Sequence, residues 1–416
     1  MSIHCYITMK LWEENKLQEK QKYLDIKAFV LYFIAFFFII KPDYFSYMGN
    51  FTKLYNIGFF ITICFIIFKK IRKRKISKNG FLIILIAVIP LIIGLMQGAK
   101  VSMSVITPII QVICLTFILE DGLEDNFDKC LDALACLLEL YTYINFITVI
   151  LYPNGLYEMD LYSGSYWFLG YKNVMIRFLI PAIFCNIVKT IRKKKKYSIR
   201  LFALIVTSIA TQLIVDCKTG LIGIGIIVIM MLLFSRESLP RWINGKNCFI
   251  FIGIFSIILA TTHLMDSFSD ILASLGETMS VSHRQAVWKR AIELIAKNPI
   301  IGYGARTSSE YKELINLSTG WGYFSHPHNY FLYMALQGGI LIYILIIALM
   351  INISKKSRQN KKNIGSKFLI VMYVAFFVMG ISESLSGAIL LYPLAIFSDY
   401  FSVNEVIYDK KKERKK

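Results

Sequence analysis

Arg284 and His328 are the residues of this chain whose types best suit reaction chemistry, and both fall in one stretch, Ser280–Gln337. That stretch is the longest without a membrane-spanning pattern, and it holds three of the five histidines, His283, His326 and His328. An imidazole, with an unperturbed pKa near ~6.5, suits proton removal at neutral pH. A guanidinium offers a planar fork that matches phosphate oxygens. The spacing predicts a short helix in which Ser282 is the N-cap and Gln285 closes a capping box. Val281, Val287, Trp288, Ala291, Ile292 and Ile295 recur at helical intervals until Asn298-Pro299 stops the run. Arg284 then sits in a first turn, where free N–H groups and the helix dipole add to an anion site. A plainer reading pairs Arg284 with Glu277 or another loop carboxylate.

His328 belongs to H-P-H-N at 326–329 and stands at the mouth of an apolar span. Asn329 could fix its tautomer, and His326 could assist it or hold the loop. A lone interfacial histidine is also often just a hydrogen-bonded polar cap. Further candidates are Lys218 in VDCKTGLIG, Arg177 one turn into a span after Lys172 and Asn173, and Glu383 at the end of another. Ionisable groups at a membrane boundary are costly, so each is a functional candidate. Against that, Lys172 and Lys218 could only snorkel to headgroups, and Arg177 could pair with Glu383 or a carbonyl. The two histidines lack a third ligand at sensible spacing, so no metal site is indicated. There is no Ser-His-Asp set, Walker loop or dinucleotide fingerprint, and no pair of external carboxylates of the glycoside-hydrolase kind.

The elements that must position these residues are membrane helices. The chain has 416 residues, 56% of them hydrophobic, with a mean hydropathy of +0.56. Its apolar residues come in blocks near the length a helix needs to cross a bilayer, and about twelve such spans can be read. They fall near 27–41, 54–69, 81–97, 104–119, 131–151, 173–190, 200–216, 218–234, 248–264, 328–352, 367–382 and 386–403. The net charge of +20 is no nucleic-acid footprint, because 29 of the 47 Lys and Arg residues crowd into five short joints at 69–80, 189–200, 235–247, 354–367 and 409–416. Residues 263–327 carry six basic and six acidic side chains. This is the positive-inside pattern, and it puts both termini and the basic joints in the cytoplasm. The reading is an all-α polytopic protein: a cytoplasmic segment 1–26, spans over 27–264, a large external loop 265–327, spans over 328–403, and a basic tail 404–416. Residues 1–26 could form an amphipathic helix on the membrane surface. The eight cysteines make no C-x-x-C pair and no disulfide framework. The aromatic loop YPNGLYEMDLYSGSYWFLGYKN reads as interfacial anchors, or as a platform for sugar rings.

In order, H-R-Q-A-V-W at 283–288, N-P-I-I-G-Y-G at 298–304, H-N-Y-F-L at 328–332 and Gly338-Gly339-Ile340 resemble the O-antigen ligase and polymerase family of polytopic membrane glycosyltransferases. The resemblance implies a GT-C-like all-α body with one large external loop. It implies transfer of a glycan from an undecaprenyl-diphosphate carrier to an acceptor hydroxyl, without nucleotide or metal cofactor, on the outer face of the bacterial cytoplasmic membrane. On it, Arg284 corresponds to the essential loop arginine and His328 to the essential histidine. Lys218 stands where the family has an arginine, and Glu383 resembles an acidic residue of a late span. Arg177 and Lys172 join Arg284 and Lys218 as diphosphate ligands, with His326, Asn329 and Glu383 in support. The partners implied are the lipid-linked oligosaccharide and the bilayer, with a flippase and a chain-length regulator nearby. A composition heavy in Ile, Lys, Phe and Tyr hints at a low-GC bacterium, and many of these lack lipopolysaccharide. That favours a repeat-unit polymerase for capsule, exopolysaccharide or O-antigen over a ligase acting on lipid A-core. A polysaccharide flippase and a non-catalytic scaffold are the competing classes.

Overall fold

Short polar side chains set where the helices begin. Ser77, Ser102, Asn126, Ser198, Asn244 and Asn363 each accept a hydrogen bond from a backbone N–H two or three residues onward. Such caps satisfy donors that a helix start leaves open. In the computed structural model, residues 3–159, 162–192, 198–234, 239–262, 278–319, 322–359 and 363–402 are described. The first nine helices are α1 (Ile3–Ile39), α2 (Asn50–Lys73), α3 (Lys78–Met96), α4 (Met103–Asp125), α5 (Phe127–Leu151), α6 (Ile176–Arg192), α7 (Ile199–Ile214), α8 (Lys218–Phe234) and α9 (Gly245–Thr261). Then come α10 (Thr278–Lys297), α11 (Ser308–Ile315), α12 (Tyr330–Gln359) and α13 (Ile364–Met379).

Five of these, α2, α3, α4, α5 and α12, are long and apolar enough to cross a membrane, and α7, α8, α9 and α13 are shorter apolar helices. Among the described residues helical rods therefore occupy most of the expected spans, without confirming the count of twelve. Three differences have physical causes. The stretch 386–403 is not one helix: turns lead to a 3₁₀ segment, Pro393–Ile396, because Gly387 adopts φ +73° and Pro393 lacks a donor. Two small antiparallel sheets interrupt the helical architecture, β1 (Tyr157–Met159), β2 (Tyr162–Trp167) and β3 (Gly170–Tyr171), and β4 (Ser318–Thr319) with β5 (Gly322–Tyr323). Helix α1 runs unbroken from Ile3 into the first span, so no bend at residue 26 lets the start lie flat. The tail 404–416 and residues 263–277, with Glu277, lie outside the described residues.

Helices α6 and α13 are buried almost all round and form the centre of the bundle. Outer helices leave Phe60, Phe68, Phe202, Leu232 and Phe251 exposed, the apolar girdle that a lipid environment accepts. One end of the bundle carries the basic joints. There Lys69 and Lys73 pair with Asp121 and Asp125, Lys70 with Glu120, Lys189 with Asp132, and Arg192 with Asp128. The acidic joint after α4 thus faces the basic ones. The opposite end receives every candidate site residue.

The segment between α10 and α11 locks the loop to that body. Helix α12 is broken at Gly339, which adopts φ +54°, and the break strands backbone groups on either side of it. The N-P-I-I-G-Y-G turn takes them up. Tyr303 and Gly304 donate to the carbonyls of Leu336 and Gln337, at 2.6 and 3.1 Å. Ile340 and Leu341 donate to Pro299 and Ile300, at 2.9 and 3.2 Å. Ala305 donates to Pro90 of α3 at 2.6 Å, and Gln97 Nε2 to Gly302 at 2.9 Å. A Cβ on Gly339 would lie 2.4 Å from the Ile300 backbone, and one on Gly304 would lie 2.0 Å from Gly94. Only glycine lets these chains approach so closely. Irregular backbone is tolerated at this depth because protein satisfies it.

Candidate active site

Glu383, four residues past the end of α13, is the point on which the polar side chains converge. Its Oε1 accepts 2.7 Å from Asn173 Nδ2 and lies 3.7 Å from Arg284 Nη2. Asn173 sits in the turn between β3 and α6, and its Oδ1 accepts from Cys217 Sγ at 3.3 Å. Lys172, next to it, donates 3.0 Å to the carbonyl of Asp216, whose φ of +47° turns the chain into α8. Lys218 is the first residue of α8. Thr219 and Ser382 share a hydroxyl contact of 3.4 Å, which ties α8 to the end of α13. Burial pushes the Glu383 carboxyl up to about 7, although Arg284, Asn173, Arg177 and Lys172 all favour its ionised form.

Arg284 reaches this point from the second turn of α10, which begins at Thr278 rather than after Ser282. Ser282 is therefore inside the helix, and the expected capping box and helix-end anion site do not form. The N–H groups around Arg284 belong to a turn that is already continued. What Arg284 supplies is its guanidinium, whose Nε is buried with no hydrogen-bond partner. Four residues on, and so on the same helix face, Trp288 is fully buried and donates from Nε1 to Pro327 O at 2.8 Å.

Pro327 separates the two histidines, so one helix fixes both Arg284 and the imidazole pair. His328 adopts φ +49°, an uncommon conformation for a side chain with a Cβ, and its backbone N–H donates to His326 Nδ1 at 3.3 Å. The acceptor role of Nδ1 leaves the His326 proton on Nε2. The two rings lie 4.2 Å apart between centroids. Burial holds both imidazoles neutral, His326 down at about 4 and His328 well below its ordinary value, with His326 and Arg284 adding to the effect on His328. Asn329 is committed elsewhere. Its Nδ2 donates to Ser256 Oγ and Ile381 O at 2.8 and 3.0 Å, and its Oδ1 accepts from Leu332 N at 3.1 Å. It caps α12 and pins it to α9 and the end of α13, and does not orient His328.

Arg177 and His326 face a separate cavity of about 400 Å³ between α3, α4, α12 and the turns after Glu383. Arg306 is at its rim, donating to Tyr303 O and Gln97 O at 2.9 and 3.2 Å. Sequence reasoning overlooked Arg306 and gave no role to Asn173; only the latter had a signal, its position beside Lys172. The aromatic loop packs on itself and on the segment after α1: Tyr157, Tyr166 and Trp167 are buried, Tyr44 and Tyr47 cover Tyr157, and Phe45 meets Phe168.

Taken together, the site holds cations that can grip a polyanion, a carboxyl that competes for one of them, and two neutral imidazoles beside a cavity. A family model described as O-Antigen ligase matches residues 170–347, a range that contains Lys172, Arg177, Lys218, Arg284, His326 and His328. The resemblance carried by the motifs is thereby matched by an independent comparison, and the chain is similar to membrane ligases and polymerases of the glycosyltransferase kind. None of the curated proteins and none of the solved structures matches it.

Proposed function

With that family likeness as the premise, we propose that this protein is a polysaccharide repeat-unit polymerase. It transfers a glycan from undecaprenyl diphosphate to a sugar hydroxyl at the outer face of the cytoplasmic membrane. The observation that carries the reading is the convergence of Lys172, Lys218, Arg284, His328 and Glu383 from separate segments at the bundle end opposite the basic joints. By the positive-inside rule that end faces outward.

The step is a direct displacement. The acceptor oxygen attacks the anomeric carbon, the bond from that carbon to the diphosphate oxygen breaks, and the configuration inverts. His328 takes the acceptor proton, and Arg284, Lys218 and Lys172 stabilise the charge growing on the departing diphosphate. Diphosphate is a good leaving group, so the step needs no nucleotide. An imidazole kept neutral chiefly by burial, and further by His326 and Arg284, is always ready to accept a proton but is a weak base. Diphosphate bound at Arg284 cancels part of that field and raises the basicity of His328 as the donor arrives. A lipid-linked substrate also requires lateral entry from the bilayer, which a helical body with exposed apolar flanks permits.

The test is purified protein with defined undecaprenyl-diphosphate repeat units in EDTA, scored for products longer than one repeat. Chain growth that is lost in His328→Ala and Arg284→Ala supports the reading. Transfer only to lipid A-core makes it a ligase. A mutant cell that retains unexported lipid-linked units makes it a flippase. Reporter fusions that place Arg284 and His328 in the cytosol overturn the assignment outright.

A further inference from the structure

Two groups of polar side chains gather near the His326–His328 pair. One holds Lys172, Asn173, Arg284 and Glu383; the other lines the cavity of about 400 Å³ and includes Arg177 and His326. We propose that this cavity seats the terminal sugar of the acceptor glycan, and that it selects a sugar bearing an anionic substituent, a carboxylate of the uronic-acid kind. The inference rests on the transferase reading above and adds to it the substrate class.

Four observations support it. First, Arg177 brings an unspent charge into the cavity: among the described residues its guanidinium makes no hydrogen bond or ion pair. The carboxylates of Asp43 and Glu383 act on it only at longer range. Arg306, by contrast, is spent on two backbone carbonyls. Second, the chain makes room for Arg177. Gly387 sits at φ +73°, and a Cβ there would lie 2.6 Å from Nη1. Third, the walls suit a sugar. Tyr333, Gln337 and Ser386 offer hydrogen-bonding groups opposite the apolar Ile86 and Val112, against which ring C–H faces can pack. Fourth, the volume favours a sugar ring beside the histidines over the acceptor's own carrier phosphate. The hydroxyl that attacks must lie at the histidines, and a cavity of this volume, near the lower end for ligand sites, has room for one or two rings. The anion that meets Arg177 therefore belongs to the sugar that carries the attacking hydroxyl.

The experiment is ligand-observed NMR titration of the full-length protein in detergent. The probes are methyl glucuronide and methyl glucoside, each with and without farnesyl phosphate as competitor. A hydrogen bond to a charged partner is worth roughly ten- to a hundredfold in affinity, so the uronide is expected to bind at least tenfold tighter than the neutral glycoside. Arg177→Gln should erase that preference, Arg177→Lys should keep part of it, and Arg284→Gln should leave it unchanged. Equal binding of the two glycosides to the wild-type protein overturns the proposal without any variant having to fold. So does a preference lost in Arg284→Gln but kept in Arg177→Gln, or displacement of the uronide by farnesyl phosphate, which makes the cavity a lipid-phosphate site. Binding needs no turnover, so a failure here is distinct from a failure of the transferase reading, which chain growth tests.

Discussion

Glu383 occupies the place an incoming diphosphate would claim on Arg284, and replacing it with glutamine should make binding both tighter and indifferent to pH. The charges lie 3.7 Å apart. At an effective dielectric of about 20 their attraction is on the order of 4 kcal/mol, an upper bound on what the ligand must displace. Protonation removes that competition, and the carboxyl titrates at about 7. The groups that face it are Asn173 from the turn before α6 and Arg284 from α10, with Lys172 and Arg177 acting at longer range. Tyr171 and Cys217 complete its surroundings. Below pH 7 Glu383 is mostly neutral and diphosphate binds at full strength. Above it the ionised fraction grows, and affinity should fall toward tenfold, about 1.4 kcal/mol, per pH unit. Calorimetric titration of farnesyl diphosphate into the purified protein, in EDTA between pH 6.5 and 8.5, measures this. Glu383→Gln should bind roughly tenfold tighter than wild type at pH 8 and about equally at pH 6.5. The ionisation of the ligand is common to both proteins and cancels in their ratio. A variant that binds more weakly, or that keeps the wild-type slope, refutes the competition.

Three further outcomes are expected. His328→Ala should lower kcat by roughly 10²–10⁴ while leaving farnesyl diphosphate binding within about twofold; and because its pKa lies below 6.5 in the free protein, the acid limb of kcat/KM should fall below pH 6.5. Gly339→Ala forces a Cβ against the Ile300 backbone at φ +54° and expels the turn that supplies four hydrogen bonds; it should cost about 4–6 kcal/mol in thermal denaturation, whereas Gly225→Ala, with open space around it, should change stability by less than about 1 kcal/mol. Lys70→Met leaves Glu120 buried without its 2.5 Å partner and should cost about 3–5 kcal/mol, read as a lowered Tm in detergent.

How much of this could be read beforehand depends on the kind of signal each feature leaves. Apolar blocks report length directly, so α2 to α5 and α12 were legible. The start of α10 was misread because Ser282 has the chemistry of a cap. A serine inside a helix looks the same when the turn before it is also compatible with helix. The stretch 386–403 was misread for the opposite reason: its hydropathy is continuous, and Gly387 and Pro393 were passed over as isolated residues. Asn329 looked like a partner for His328 by adjacency, yet adjacent residues on a new helix point apart, and its amide was needed elsewhere. The role of N-P-I-I-G-Y-G was invisible, because it is played by backbone groups pairing with a break some 35 residues away. Side-chain identity announces the glycines but not what they approach.

The backbone clasp between that turn and the interrupted helix bears on biogenesis. Its docking surfaces come from α3, near the beginning of the chain, and from α12, near its end. A growing polypeptide cannot close the clasp until both have been inserted and have met. Arg284 and the histidines flank the clasped turn, so the reaction centre is assembled among the final events of maturation. A chain that still lacks α12 carries Lys172, Arg177, Lys218 and Arg284 without the competent geometry, and cannot squander lipid-linked precursors.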